Sequence, residues 1–346
     1  MNSVAQNSDT IDREEPMIGQ AQSAERRATA NLLRMGHCAP SIMQTLVDLD
    51  PPAPAKTQND WLVKLAAGMP GGIGNTGFEC GGVTSPLVML GLRHGRAEMR
   101  QGLPVIFDKG HDLCHRFAAC NGTLLCSEIR GDARIPTRCS GVVKHSPRLF
   151  TNTESSESVG AIPSETRDAY RRLYAHFTTT EFHCSHAVFE ELHDIVPLGP
   201  DLLDGTAGFL GGTLLSGMTC SAFTAGVMAL GLRLGEIEHS RLRVMRMIAL
   251  MVLGGDALAD PINKFNRIMN AGNKMSEWFT REFGSTQCRA ITRCDFSCQA
   301  DVNRYIETGG VTKCQAIAKS VAERVRSVVQ KLEGSAPLGS TTAGAT

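Results

Sequence analysis

Residues 65–95 read LAAGMPGGIGNTGFECGGVTSPLVMLGLRHG, and residues 205–235 read GTAGFLGGTLLSGMTCSAFTAGVMALGLRLG. Laid over each other at a shift of 140, without a gap, they agree at 12 of 31 positions, where average composition gives roughly two. The agreement includes Cys80/Cys220, the glycine pairs Gly71-Gly72 and Gly211-Gly212, Thr84/Thr224, and the run Leu90–Arg93 against Leu230–Arg233. Outward from this core the match continues through cysteines. Upstream, His37-Cys38-Ala39 answers His183-Cys184-Ser185; downstream, Cys126 in NGTLLCSEI answers Cys288 in FGSTQCRAI. Cys139 and Cys314 make a looser fourth pair. A chain that duplicates itself and keeps its thiols in order points to the thiols as its working part.

The duplication divides the 346 residues into two ordinary domains. The expected organisation is a disordered leader over 1–23, a first repeat over 24–140 and a linker over 141–163. A second repeat follows over 164–333, with a helical insertion within about 236–282, and then a disordered tail over 334–346. Between the second and third cysteines the second copy is longer by a net 22 residues, 68 against 46. Helical periodicity and caps predict helices over Ala24–Met35, Cys38–Leu49, 111–119 and 165–178, and from Cys80 and Cys220 onward. They also predict one long helical stretch over about 239–283 and a closing helix from Cys314 to Leu332. Strand signals are few. The expected fold is all-α, two similar helical lobes related by a pseudo-two-fold axis, an intramolecular pseudo-dimer.

Zero net charge, with only three Tyr and two Trp, argues against a nucleic-acid partner. Residues 205–232 carry no charge over 28 positions, but seven are Gly and six are Ser or Thr. The homologous stretch holds Pro70 and Glu79, both costly in lipid, so no membrane span is expected. The polar N-terminus has no secretory signal, which makes the cytoplasm the expected location and structural disulfides unexpected.

Twelve cysteines then call for thiolate chemistry, metal ligation or burial. Cys-x-x-Cys is absent, which argues against a thioredoxin-type pair, a zinc ribbon and haem attachment. The redox or metal residues are the eight that pair across the repeat: Cys38, Cys80, Cys126 and Cys139, then Cys184, Cys220, Cys288 and Cys314. Four of them (Cys38, Cys80, Cys184, Cys220) open helices, where free N–H groups and the macrodipole lower a thiol pKa. Gly71, Gly72, Gly211 and Gly212 are the cofactor-binding candidates, since glycine lets backbone N–H groups approach a sulfur or cofactor. His37 and His183 suit a cap or an outer supporting role rather than ligation. Cys114, Cys120, Cys294 and Cys298 are expected outside the two clusters. No Ser/His/Asp arrangement, Walker loop or dinucleotide fingerprint accompanies the cysteines, so no hydrolase or nucleotide enzyme is expected.

With these residues assembled, the chain resembles the C-GCAxxG-C-C family of putative redox-active proteins, as a tandem duplication. The family motif maps to Cys80-Gly81-Gly82-Val83-Thr84-Ser85 and to Cys220-Ser221-Ala222-Phe223-Thr224-Ala225; its last glycine is Ser85 or Ala225 here. The resemblance implies that the eight paired cysteines are the family's. Related domains occur in split-Soret-type cytochromes c with an iron–sulfur centre; the haem part has no counterpart in this chain. The first functional expectation is electron transfer through an iron–sulfur cluster, most simply [2Fe–2S], held by four thiolates per lobe. Thiol–disulfide chemistry without metal, structural zinc and a partner-binding scaffold are the alternatives, and the redox partner is unknown. The apolar insertion helix 242–253 leads to a further expectation, that Cys220 is less accessible than Cys80.

Overall fold

The computed structural model of the chain describes residues 11–50, 59–95, 99–131, 137–156, 162–237, 239–253 and 267–334. The fold is all-α. Among the described residues the only sheet is an antiparallel pair of two-residue strands, β1 (Met99–Arg100) and β2 (Leu103–Pro104). The first lobe contains α1 (Ile11–Met35), α2 (Cys38–Leu49), α3 (Asp60–Ala66), α4 (Gly81–His94), α5 (Val105–Asn121), α6 (Cys126–Arg130) and α7 (Thr137–Ser155). The second contains α8 (Ser164–Thr179), α9 (Cys184–Glu191), α10 (Pro200–Thr206), α11 (Ser221–Leu234), α12 (Arg241–Leu253), α13 (Arg267–Phe283), α14 (Cys288–Thr292), α15 (Gln299–Glu307) and α16 (Gly310–Gly334).

α4 and α11 are the central helices. Every residue from Gly81 to Gly91, and from Ser221 to Gly231, is buried, as expected of helices with no charged face. Both end on an arginine paired to an equivalent helix of the same lobe. Arg93 meets Glu154 of α7 and also Asp50, whereas Arg233 meets Glu333 of α16 at 2.8 Å.

The lobes pack reciprocally, which is the signature of a two-fold contact. α4 lies on α10 of the other lobe, and α11 lies on α3. A Cβ at Gly91 would stand 2.4 Å from the Asp204 carbonyl oxygen; one at Gly231 would stand 2.4 Å from the Lys64 carbonyl oxygen. Both pairs are related by the same shift of 140 residues. The shared Leu-Gly-Leu-Arg run is thus legible as an interface element: only glycine lets the helix backbone approach the facing carbonyl this closely.

Two expectations are corrected. The linker range 141–163 holds most of α7, whose Val142, Val143, Ser146, Leu149, Phe150 and Thr153 are buried against the first lobe. Its Ser- and Thr-rich composition hid a helical apolar stripe. The leader range contains the start of α1, from Ile11; residues 1–10 lie outside the described residues, as do 335–346 of the tail. Of the long helical stretch expected over about 239–283, α12 and α13 are described, and 254–266 lie outside the described residues. α5 also runs longer than expected, from just after Pro104 to Asn121, where Gly122 at φ +81° ends it.

Candidate cysteine centres

In each lobe a short antiparallel contact brings the second and third cysteines together. Glu79 bridges Leu125, and Thr219 bridges Gln287. Cys80 N–H donates to the Leu124 carbonyl (2.9 Å) and Cys126 N–H to the Phe78 carbonyl (2.7 Å). In the second lobe Cys220 N–H donates to Thr286 (2.8 Å) and Cys288 N–H to Met218 (2.7 Å). Thr123 and Ser285 each turn a hydroxyl onto the N–H two residues on, at 3.1 and 3.0 Å, just before the third cysteine. Those cysteines then open α6 and α14, so helix starts carry three of the four thiols per lobe rather than two.

The first-lobe thiols converge. Cys80 donates toward Cys126, which pushes Cys80 up and holds Cys126 down. Cys38 lies within electrostatic reach of Cys126 and Cys139, and burial pushes it up to about 12. The Gly71 N–H points to the Cys38 sulfur, so one of the four candidate glycines does present its amide to a thiol. Gly72, at φ +83°, shapes the turn instead: a Cβ there would stand 2.6 Å from the Phe78 N–H nitrogen.

Cys184, Cys220, Cys288 and Cys314 line one apolar pocket, closed by Ala222, Ile291 and Ile317. Here the closest pair differs. Cys184 donates toward Cys314, and the Tyr305 hydroxyl lies 3.3 Å from the same sulfur. Those contacts, with Lys313 alongside, hold Cys314 below the ordinary thiol value, while Cys184 and Cys288 are pushed well up. Gly211 and Gly212 take positive φ, and a Cβ at Gly212 would stand 2.7 Å from the Cys288 Cβ, so this pair serves close packing.

The expectation of depressed pKa values at the helix starts is corrected. N–H groups of Gly82, and of Ala222 and Phe223, do favour the Cys80 and Cys220 thiolates. Yet burial is the larger influence on Cys220, which is pushed up to about 12. An amide at a helix N-terminus does not offset removal of a thiolate from water. The low-pKa thiols are Cys126 and Cys314, which a neighbouring thiol supports.

Among the described residues, the insertion helix α12 lies against the first lobe, packing on its α1, and His239 and Arg243 crowd His37, next to Cys38. Cys80 is 5% exposed and Cys220 8%, so the expected difference in accessibility is absent from their burial. His37 and His183 stand at the starts of α2 and α9, but neither side chain makes a cap bond. His37 rests edge-on against His239, and His183 stacks on His186 at 3.7 Å.

Cys120 is exposed, and Cys114 lies within electrostatic reach of the buried Glu79. Cys294 is buried and within electrostatic reach of Cys288, but it does not line the pocket of the second four. Sequence reasoning missed Tyr305. Its signal was the spacing of 26 residues between Cys288 and Cys314, against 13 in the first lobe; the excess is the Cys294 turn and α15.

Glu79 and Thr219, equivalent under the repeat, meet at the lobe interface. The fully buried Glu79 carboxylate accepts from the Thr219 N–H (3.0 Å), the Thr213 hydroxyl (2.9 Å) and the Thr219 hydroxyl. Because each immediately precedes a cysteine, the two centres flank the interface.

Among the described residues, no helix is long and apolar enough to cross a membrane, and no three His, Cys, Asp or Glu are arranged to hold one metal ion. A family model described as "Putative redox-active protein (C_GCAxxG_C_C)" matches residues 36–152 and again 182–328. No curated protein and no solved structure matched the chain.

Proposed function

Since the chain belongs to the C_GCAxxG_C_C family, in two tandem copies, we propose that each lobe holds an iron–sulfur cluster for electron transfer. The ligands would be Cys38, Cys80, Cys126 and Cys139 in one lobe, and Cys184, Cys220, Cys288 and Cys314 in the other. The observation that carries this reading is the meeting of four thiols per lobe, drawn from separate helices and far apart in sequence. A dithiol needs two cysteines; four is the ligand set of a cluster. The donor chemistry fits: the sulfurs lie in apolar walls, and the helix-start amides would support their charge once a cationic cluster replaces the protons.

When bound, such a cluster supplies one-electron chemistry. The chain's own part is to exclude water, hold the thiols at helix starts and tune the sulfurs through Gly71 N–H and Tyr305. Electrons would pass to and from a partner protein, and a reducing cytoplasm suits thiolate ligands.

A second reading rests on the pairs Cys80–Cys126 and Cys184–Cys314, in which one thiol stabilises the other's thiolate. That is the arrangement of a dithiol ready for disulfide exchange. Anaerobic purification followed by iron, sulfide and zinc analysis with an absorption spectrum separates the readings. Stoichiometric iron and sulfide with visible absorption is expected. Metal-free protein whose thiols reoxidise in those two pairs would overturn the cluster in favour of disulfide exchange.

A further inference from the structure

Cys294 and Cys298 belong to neither set of four and have no counterpart in the first lobe. α14 ends at Thr292, and Arg293, at φ +54°, turns the chain away from the helix axis. A tight turn follows, closed by the Cys298 N–H on the Asp295 carbonyl at 2.9 Å. Asp295 holds it: its carboxylate accepts from the Ser297 N–H (3.0 Å), the Ser297 hydroxyl (2.6 Å) and Arg289 (3.2 Å). Its own N–H donates to Asp301 at 2.9 Å. The tip, Phe296, is buried. Cys298 is exposed and begins α15; Cys294 is only 2% exposed. A buried thiol therefore immediately precedes the held turn Asp295–Cys298, and an exposed thiol closes it. Cys294 lies within electrostatic reach of Cys298, and a disulfide joins two cysteines whose Cα atoms come within about 7 Å.

Two contacts run inward from it. Cys294 lies within electrostatic reach of Cys288. The Phe296 ring packs edge-on against Tyr305 with centroids 5.6 Å apart, and the Tyr305 hydroxyl is 3.3 Å from the Cys314 sulfur. Any change in the turn reaches a cysteine of the second centre through one aromatic contact.

We propose that Cys294 and Cys298 form a surface dithiol, oxidised by small or protein disulfides, whose state is relayed to the second-lobe centre through Phe296 and Tyr305. The Cys298 thiolate attacks an external disulfide, forming a mixed disulfide and releasing one thiolate. Cys294, its proton passed to solvent, then attacks the Cys298 sulfur and releases the second. Two protein thiols are oxidised, and one external disulfide is reduced to two thiols. Closing the bond rotates Cys294 out of its buried position, which shifts Phe296 and loosens the Tyr305 contact with Cys314. This site goes beyond the proposed clusters and does not depend on them.

The test treats the reduced full-length protein with oxidised glutathione, alkylates the remaining thiols and maps tryptic peptides. No Lys or Arg lies between Arg293 and Arg304, so one peptide carries both cysteines. The expected product is that peptide lighter by two hydrogens, without glutathione on Cys298, while the exposed Cys120 keeps its adduct. Cys294→Ser should trap glutathione on Cys298, and Cys298→Ser should leave Cys294 unmodified. In metal-free protein, oxidation should also change the alkylation rate of Cys314 severalfold in the wild type and not in Cys294→Ser. Glutathione retained on Cys298 of the wild type, as in Cys294→Ser, would overturn the dithiol; an unchanged Cys314 rate would overturn the relay. Iron and sulfide are measured in both variants. Unchanged contents support a site separate from the cluster, and loss in Cys294→Ser overturns it. Absence of iron and sulfide from the wild type would overturn the cluster alone, since the peptide map does not depend on metal.

Discussion

The two lobes share a backbone plan and differ at the points where their chemistry would be set. In the first, the second and third cysteines form the close thiol pair; in the second, the first and fourth do, with Tyr305 alongside. The first lobe contributes a buried carboxylate to the interface, and the second contributes two hydroxyls and an N–H that receive it. Duplication thus preserved the cradle and altered the groups around the sulfurs. The lesson is that the repeat governs where the thiols sit, while the pair of thiols that supports the charge differs between the copies.

The comparison can be broken most sharply at the interface. Thr219→Glu would set a second carboxylate against the buried Glu79, and urea unfolding should show a loss of at least about 3 kcal/mol. Glu79→Gln keeps the shape and should cost about 1–2 kcal/mol. If Thr219→Glu unfolds no more easily than Glu79→Gln, the interface contact is not as described.

The symmetric part makes the opposite demand. Gly91→Ala and Gly231→Ala each push a Cβ into a facing carbonyl, and each should destabilise by about 1–3 kcal/mol. Denaturant midpoints lowered equally would sharpen the two-fold description; one silent substitution would contradict it.

Acid separates the lobes next. Burial, and then His239 and Arg243, lower the His37 pKa to about 3 from an ordinary 6.5. The unfolded chain then binds the proton first, so stability is lost as pH falls from about 6.5 toward 3. At one pH unit below 6.5 this amounts to about 1.4 kcal/mol. His37→Gln should flatten that part of the stability–pH curve; an unchanged curve counts against neutral burial.

The smallest effect is expected at Tyr305→Phe. It removes a hydroxyl that holds the Cys314 thiol down, so Cys314 of metal-free protein should alkylate more slowly at neutral pH. Stability should change by no more than about 1 kcal/mol. Cys126 serves as the internal reference, and equal slowing of both would remove Tyr305 from the account.

Much of the plan was legible because it is written twice. The match between residues 65–95 and 205–235 located the central helices, the glycine turns and the order of the thiols before any coordinates. The thiol pKa pattern was not legible, since periodicity marks helix starts but does not report how deeply a start is buried. α7 escaped because Ser, Thr and Pro between its apolar positions read as linker, although Val142, Ser146, Leu149, Phe150 and Thr153 form one buried stripe. Tyr305 escaped because it lies where the copies do not align. A repeat reveals what was kept, and this residue was added.

The single carboxylate at the lobe junction also sets a rule for assembly in trans. Were two chains to exchange halves, a first half meeting another first half would face Glu79 with Glu79, two buried carboxyl groups without the hydroxyls that Thr213 and Thr219 supply. Two second halves would face Thr219 with Thr219 and leave the cradle without its acceptor. Only unlike halves complete the contact. Any exchanged dimer of this chain would therefore pair a first half with a second half, and the gene fusion that joins them keeps the matching partner always at hand.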